Sequence, residues 1–237
     1  MPSVPKDTTR EPELSQRLDF AQLRFLTIEL TTPSYCPPPG SSSLLTEPLL
    51  FPLHSFSALH TLDLSSFRAS HLDDAAYERV VAPWPELRCL KLGTTDALKW
   101  WPAASVRAVI AVLRSCPHLQ TLHIVFNGSI PPPCPTMNDE EASERVEDGK
   151  DERAEVGQVN RWGVSNAHIT QIHVGHSPIG VDIAGLKGLA TCLGSVMPRL
   201  RTIQSEKELS NLAGRWRMVQ DMLVRGDAVG LEVGCVT

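Results

Sequence analysis

The chain has 237 residues, 42% of them hydrophobic and 5% aromatic, and carries a formal net charge of -5. This length suits one large domain or two small ones, and the negative balance excludes a general nucleic-acid binder. No apolar run approaches the roughly 20 residues that a helical membrane span requires.

In chain order, residues 1–18 are polar, contain no signal-peptide core and are expected to be disordered. A first strand is predicted near residues 23–30. A loop follows around Pro37, Pro38, Pro39 and Gly40, then a short helical turn at 44–51. The first strand introduces a phrase that returns along the chain: two apolar residues three apart, then a third two further on. Leu23, Leu26, Ile28 is followed by Leu59, Leu62, Leu64, by Leu87, Leu90, Leu92 and by Leu119, Leu122, Ile124. Ile169, Ile172, Val174 comes fifth, and Leu200 with Ile203 forms a sixth copy that has Ser205 at its third place. The starts lie 36, 28, 32, 50 and 31 residues apart.

Such a unit cannot bury its apolar face alone, so copies stack, and L-x-x-L-x-L is the signature of leucine-rich repeats. The expected fold is therefore α/β. It is a right-handed leucine-rich-repeat solenoid over residues 19–225, with parallel strands on the concave face and helices on the convex face. Helices are predicted at 72–81, with Asp73 and Asp74 in the first turn, at 103–115 and at 181–196. Trp84 is expected beside the third strand. Trp100 and Trp101 are expected to pack under the next helix rather than serve as exposed anchors.

Residues 128–160 interrupt the repeat. Between Asp139 and Glu155 stand nine acids and three bases, so this stretch carries -6 and the rest of the chain +1. An acidic disordered insertion is expected there, which accounts for the 50-residue interval. Ser205 and Glu208 fit a capping box for a helix at 206–225 that covers the last repeat, with Leu212, Trp216 and Val219 on one face. Residues 226–237 are expected to form a short terminal strand or tail.

The residues also carry a resemblance. Leu59-His60-Thr61-Leu62-Asp63-Leu64, Trp84-Pro85-Glu86-Leu87-Arg88-Cys89-Leu90 and Cys116-Pro117-His118-Leu119-Gln120-Thr121-Leu122 resemble the repeat region of F-box/leucine-rich-repeat proteins of mushroom-forming fungi. His173-Val174-Gly175-His176-Ser177-Pro178 and Met197-Pro198-Arg199-Leu200 continue the likeness. The resemblance implies the substrate-recognition part of a ubiquitin ligase. It also implies a separate helical F-box that docks the ligase adaptor. No such box precedes Leu23, so adaptor binding is expected only if an N-terminal F-box exists. A stand-alone repeat scaffold or decoy, uncoupled from ubiquitination, is the alternative.

Period-two alternation sends the apolar residues of each phrase into the core and their neighbours to the opposite face. The central row of that face should read Thr27, Asp63, Lys91, His123, His173, Gln204. Flanking rows are Phe25, Thr61, Cys89, Thr121, Gln171, Thr202 and Glu29, Ser65, Gly93, Val125, Gly175. The spacing of parallel strands would let Asp63 pair with Lys91 and seat His123 beside His173. This row is the candidate site for an as yet undefined protein partner, with neither nucleic acid nor membrane expected.

No catalytic role is expected. Gly175-His176-Ser177-Pro178-Ile179-Gly180 misses the G-x-S-x-G elbow by one place, and Pro178 lacks the N–H that an oxyanion hole would take from it, so a hydrolase is the weakest reading. Neither a cofactor nor a metal is expected. His123, His168, His173 and His176 are better explained as strand and flanking histidines than as ligands. Cys36, Cys89, Cys116, Cys134, Cys192 and Cys235 form no C-x-x-C pair, which suits free thiols in a reducing cytoplasmic or nuclear compartment.

Overall fold

The computed structural model of the protein describes residues 22–29, 44–70, 72–93, 102–130, 162–206 and 210–226. The N-terminal residues 1–18, Trp100, Trp101, most of the acidic insertion (131–160), the capping-box Glu208 and the tail 227–237 lie outside the described residues.

The chain runs β1 (Phe25–Thr27), β2 (Leu44–Leu45), α1 (Glu47–Leu50), a 3-10 turn (Phe51–Ser55), β3 (Thr61–Leu64), β4 (Arg68–Ser70) and α2 (Asp74–Val81). It continues through β5 (Cys89–Leu92), α3 (Val106–Ser115), β6 (Thr121–His123), β7 (Gln171–Gly175), α4 (Ile183–Val196), β8 (Thr202–Ser205) and α5 (Ser210–Arg225). The strands are shorter than the apolar phrases predict, because the first apolar residue of each phrase lies in the turn that enters the strand. The helical turn expected at 44–51 is present as α1, continued by the 3-10 turn, and is preceded by β2, which pairs with β4.

Six strands form one all-parallel sheet in the order β1-β3-β5-β6-β7-β8. The registers Leu26↔Leu62, Leu62↔Leu90, Leu90↔Leu122, Leu122↔Ile172 and Ile172↔Ile203 put the phrases at one height. Leu62, Leu90, Leu122 and Ile172 are fully buried, and Ile203 nearly so. At the strand entries one carbonyl takes two amides from the next strand. Arg24 O accepts from His60 and Thr61, His60 O from Arg88 and Cys89, Arg88 O from Gln120 and Thr121, and Thr170 O from Arg201 and Thr202.

A second column lies three residues before each of the last five phrases. Phe56, Trp84, Cys116, Asn166 and Met197 are all buried. Several reach back to the preceding turn. Trp84 Nε1 donates to Leu53 O at 3.2 Å, and Cys116 Sγ to Trp84 O at 3.4 Å. Asn166 does the most: its Nδ2 donates to Pro117 O and Leu119 O, and its Oδ1 accepts the amides of His168 and Ile169. One side chain thus satisfies four backbone groups where a buried polar atom left alone would be costly.

Helices α2, α3 and α4 each start at a side-chain cap. Asp73 accepts from the Ala76 amide, Ser105 from that of Arg107, and Asp182 from that of Gly185. Asp74, expected only as a favourable charge in the first turn of α2, binds both the amide and the hydroxyl of Ser105 and so ties α2 to the start of α3. Helix α2 packs on α3 and α4 on α5, with lighter contact between α3 and α4. Gly128, placed by its sequence at the start of the insertion, is instead buried and bridges to Ile179.

The last helix covers the final strand. Trp216 is buried, stands edge-on to Phe126 with ring centroids 5.7 Å apart, and donates from Nε1 to Ser177 O at 2.9 Å. Gln220 Oε1 accepts the Ile203 amide at 2.8 Å, the one that points away from β7.

Trp216→Ala should cost about 3–5 kcal/mol by removing a large buried side chain. Urea denaturation measures this, and a transition that superimposes on the wild type would show that α5 does not close the core. Asn166→Asp keeps the acceptor but loses both donors and sets a charge against two carbonyls. It should cost roughly 2–4 kcal/mol in the same measurement.

Candidate functional site

The face of the sheet opposite the buried leucines carries the row expected from alternation. Register pairs Thr27 with Asp63, Asp63 with Lys91, Lys91 with His123, His123 with His173 and His173 with Gln204. All six candidate residues therefore lie side by side across six strands. Phe25 is also on this face and is 69% exposed at its outer edge.

Within the row the side chains form two pairs. Lys91 Nζ donates to Asp63 Oδ2 at 2.7 Å, while Asp63 Oδ1 accepts from the Ser65 amide and hydroxyl at 3.1 and 2.6 Å. Burial pushes the Asp63 pKa up, but these hydrogen bonds outweigh it and hold the carboxyl below its ordinary range. The same bond raises the pKa of Lys91. His123 and His173 stack, with ring centroids 4.6 Å apart and planes 25° from parallel.

The stack suits neutral rings. Gly175, with φ of +54°, occupies a left-handed conformation open to glycine and turns its amide back onto His173 Nδ1 at 3.3 Å. With Nδ1 accepting, the neutral ring keeps its proton on Nε2, which lies 3.6 Å from Glu206 Oε1. Burial lowers the pKa of His173, with Glu206 opposing and His176 adding to the effect. His123 is pushed down to about 4, first by burial and then by His173 and Lys91. These histidines are half-buried, and the neighbouring placement expected from the strand spacing takes the form of a ring stack.

Between β6 and β7 the face opens into a pocket of about 230 Å³ lined by Gln120, Thr121, His123, Thr170, Gln171 and His173. All six are uncharged at neutral pH. Gln120 and Thr170 precede their strands and are absent from the expected columns. The signal available in the sequence was the residue just before each strand, a place also held by Arg24, His60, Arg88 and Arg201.

Other candidates resolve differently. Ser177 is fully buried, accepts the Phe126 amide and donates to Val174 O, so its hydroxyl braces the chain and is closed to a substrate. Among the described residues, no group of three His, Cys, Asp or Glu side chains is placed to hold a metal ion. Cys89, Cys116 and Cys192 are free, and burial pushes the thiols of Cys116 and Cys192 up to about 12. No described helix is long and apolar enough to cross a membrane. No protein-family model, curated protein or solved structure matches this chain.

The low pKa of His123 fixes the sign of one pH effect. Between pH 6.5 and about 4 the unfolded chain takes up a proton that the folded ring refuses, so stability falls as pH drops through that window. At pH 5 the loss should be about 1 kcal/mol, since the ring is only half-buried and water screens the rest. Urea midpoints at pH 7 and pH 5 should converge in His123→Gln relative to the wild type. An unchanged pH slope in the variant would show that another group carries the effect.

Proposed function

We propose that the chain is a leucine-rich-repeat solenoid that binds a protein partner through its polar sheet face and catalyses no reaction. The strands follow one another in sequence order, with Leu62, Leu90, Leu122, Ile172 and Ile203 buried at a common height, which is how repeat units that cannot fold alone share a core. The observation that carries the binding reading is the row from Thr27 to Gln204. It presents mixed polar groups, already held by the Asp63–Lys91 and His123–His173 pairs, on a rigid sheet rather than on loops. Little side-chain order remains to be imposed when a partner docks on such groups. The sequence likeness to F-box repeat proteins makes substrate recognition in a ubiquitin ligase the natural setting. In that setting the ligase adaptor is engaged by an F-box and not by this face.

Gln171→Trp with Gln204→Trp adds bulk at two exposed positions of the face, beside the His123–His173 pair and away from the Asp63–Lys91 pair. Partners captured from an extract by the wild type should be lost by this variant, while its circular dichroism and melting midpoint stay those of the wild type. Retention of the same partners would sink the reading.

A further inference from the structure

The end of the sheet at which the strands begin has a different electrostatic character from the end at which they finish. The residues just before β1, β3, β5, β6, β7 and β8 are Arg24, His60, Arg88, Gln120, Thr170 and Arg201. The carbonyls of Arg24, His60, Arg88 and Thr170 share one pattern, each taking two amides of the next strand, and Gln120 and Arg201 hold the same place immediately before their strands. Gln120 and Thr170 line the pocket, so this position borders the open face. Arg24, Arg88 and Arg201 are exposed and make no ion pair among the described residues. One step further out stand Glu86, His118, His168 and Arg199, so Glu86 is the one carboxylate at these described positions. The other acids of the face, Glu29, Asp63 and Glu206, lie towards the strand ends, and Asp63 is already neutralised by Lys91.

We propose that this rim is the docking site for an extended acidic segment of the partner protein, laid across the strands with one side chain entering the β6–β7 pocket. The proposal rests on the sheet face being the binding surface and gives the chemistry of what it binds. Strands stand about 4.8 Å apart, so Arg24 and Arg88 are about 10 Å apart at the backbone, and Arg88 and Arg201 about 14 Å. An extended peptide rises about 3.3 Å per residue, so roughly eight residues reach all three arginines. Arginine suits carboxylates because its planar fork donates two parallel hydrogen bonds. The pocket between Arg88 and Arg201 offers amide, hydroxyl and imidazole groups with no carboxylate to repel an acidic chain. A nucleic acid fits less well. Among the described residues, Phe25 is the one exposed Phe, Tyr or Trp ring bordering the rim, whereas single strands are held by successive stacking platforms.

The test is fluorescence anisotropy of the full chain with labelled octaglutamate, octaglutamine, octalysine and an eight-nucleotide oligothymidylate. Octaglutamate should bind saturably and weaken as salt is raised, and the other three should bind at least about tenfold more weakly. Arg88→Glu with Arg201→Glu should lower octaglutamate affinity by at least about tenfold. Arg225→Glu, an exposed reversal at the end of α5, should leave it within about twofold. If the double reversal does not fold by circular dichroism, Arg88→Gln with Arg201→Gln should still weaken binding at least about threefold.

Unchanged binding by the rim variants, or oligothymidylate binding as tight as octaglutamate, would overturn the proposal. Binding seen only after deletion of Asn138–Glu155 would also overturn it, because the rim's occupant would then be the chain's own acidic stretch. Suppose octaglutamate fails to bind, the Arg88→Glu, Arg201→Glu variant keeps every captured partner, and the Gln171→Trp, Gln204→Trp variant loses them. The acidic-segment proposal then falls while binding through the sheet face stands.

Discussion

Everything else in this protein depends on six parallel strands holding their leucines and isoleucines at the same height. Leu62, Leu90 and Leu122 meet across the sheet because each strand is entered through the same turn, where one carbonyl takes two amides of the next strand. A slip of one residue would exchange the buried and exposed faces of a strand entirely. It would bury Asp63, Lys91 or His123 without partners suited to the core and expel a leucine to water. The polar row is thus held in place by an apolar one, and the two are the same geometric fact seen from opposite sides.

The turn column adds a second constraint. Trp84, Cys116 and Asn166 each lend a donor to the turn before them, so the separation between neighbouring strands is fixed by hydrogen bonds as well as by packing. Three different side chains do one job. A Trp does it with its ring nitrogen and a large buried surface, a Cys with a weak donor in a small space, and an Asn with four bonds and little apolar area. Chemistry differs along the column while position does not, which is why a search for one residue type would pass over it.

That pattern explains what could be read from the sequence. Period-two alternation within each phrase set both faces of the sheet, so the row from Thr27 to Gln204 and its two internal pairs were legible from spacing alone. Helix positions were legible to within a few residues, and the caps Asp73, Ser105 and Asp182 account for the later starts. The roles of Asn166, Gln220 and Asp74 were not legible, because each acts on a group distant in sequence. Asn166 serves a turn 47 to 49 residues earlier, and Asp74 a serine 31 residues later. The β2–β4 pair escaped for a related reason: two- and three-residue strands carry no periodicity to detect. The mutual burial of the two histidines depends on a stacking distance that no one-dimensional pattern encodes.

One contact has an effect at the level of assembly. The amide of Ile203 that faces outward from β8 is occupied by Gln220, and α5 lies over the same strand. An open parallel edge would be a template on which another chain could add a strand, the first step towards swapped dimers and fibrils. A side-chain amide anchored on a helix removes that template without adding charge to the strand. To extend the sheet past β8, an incoming strand must first displace a helix anchored by a buried tryptophan, so growth at this edge is blocked by the same element that completes the core.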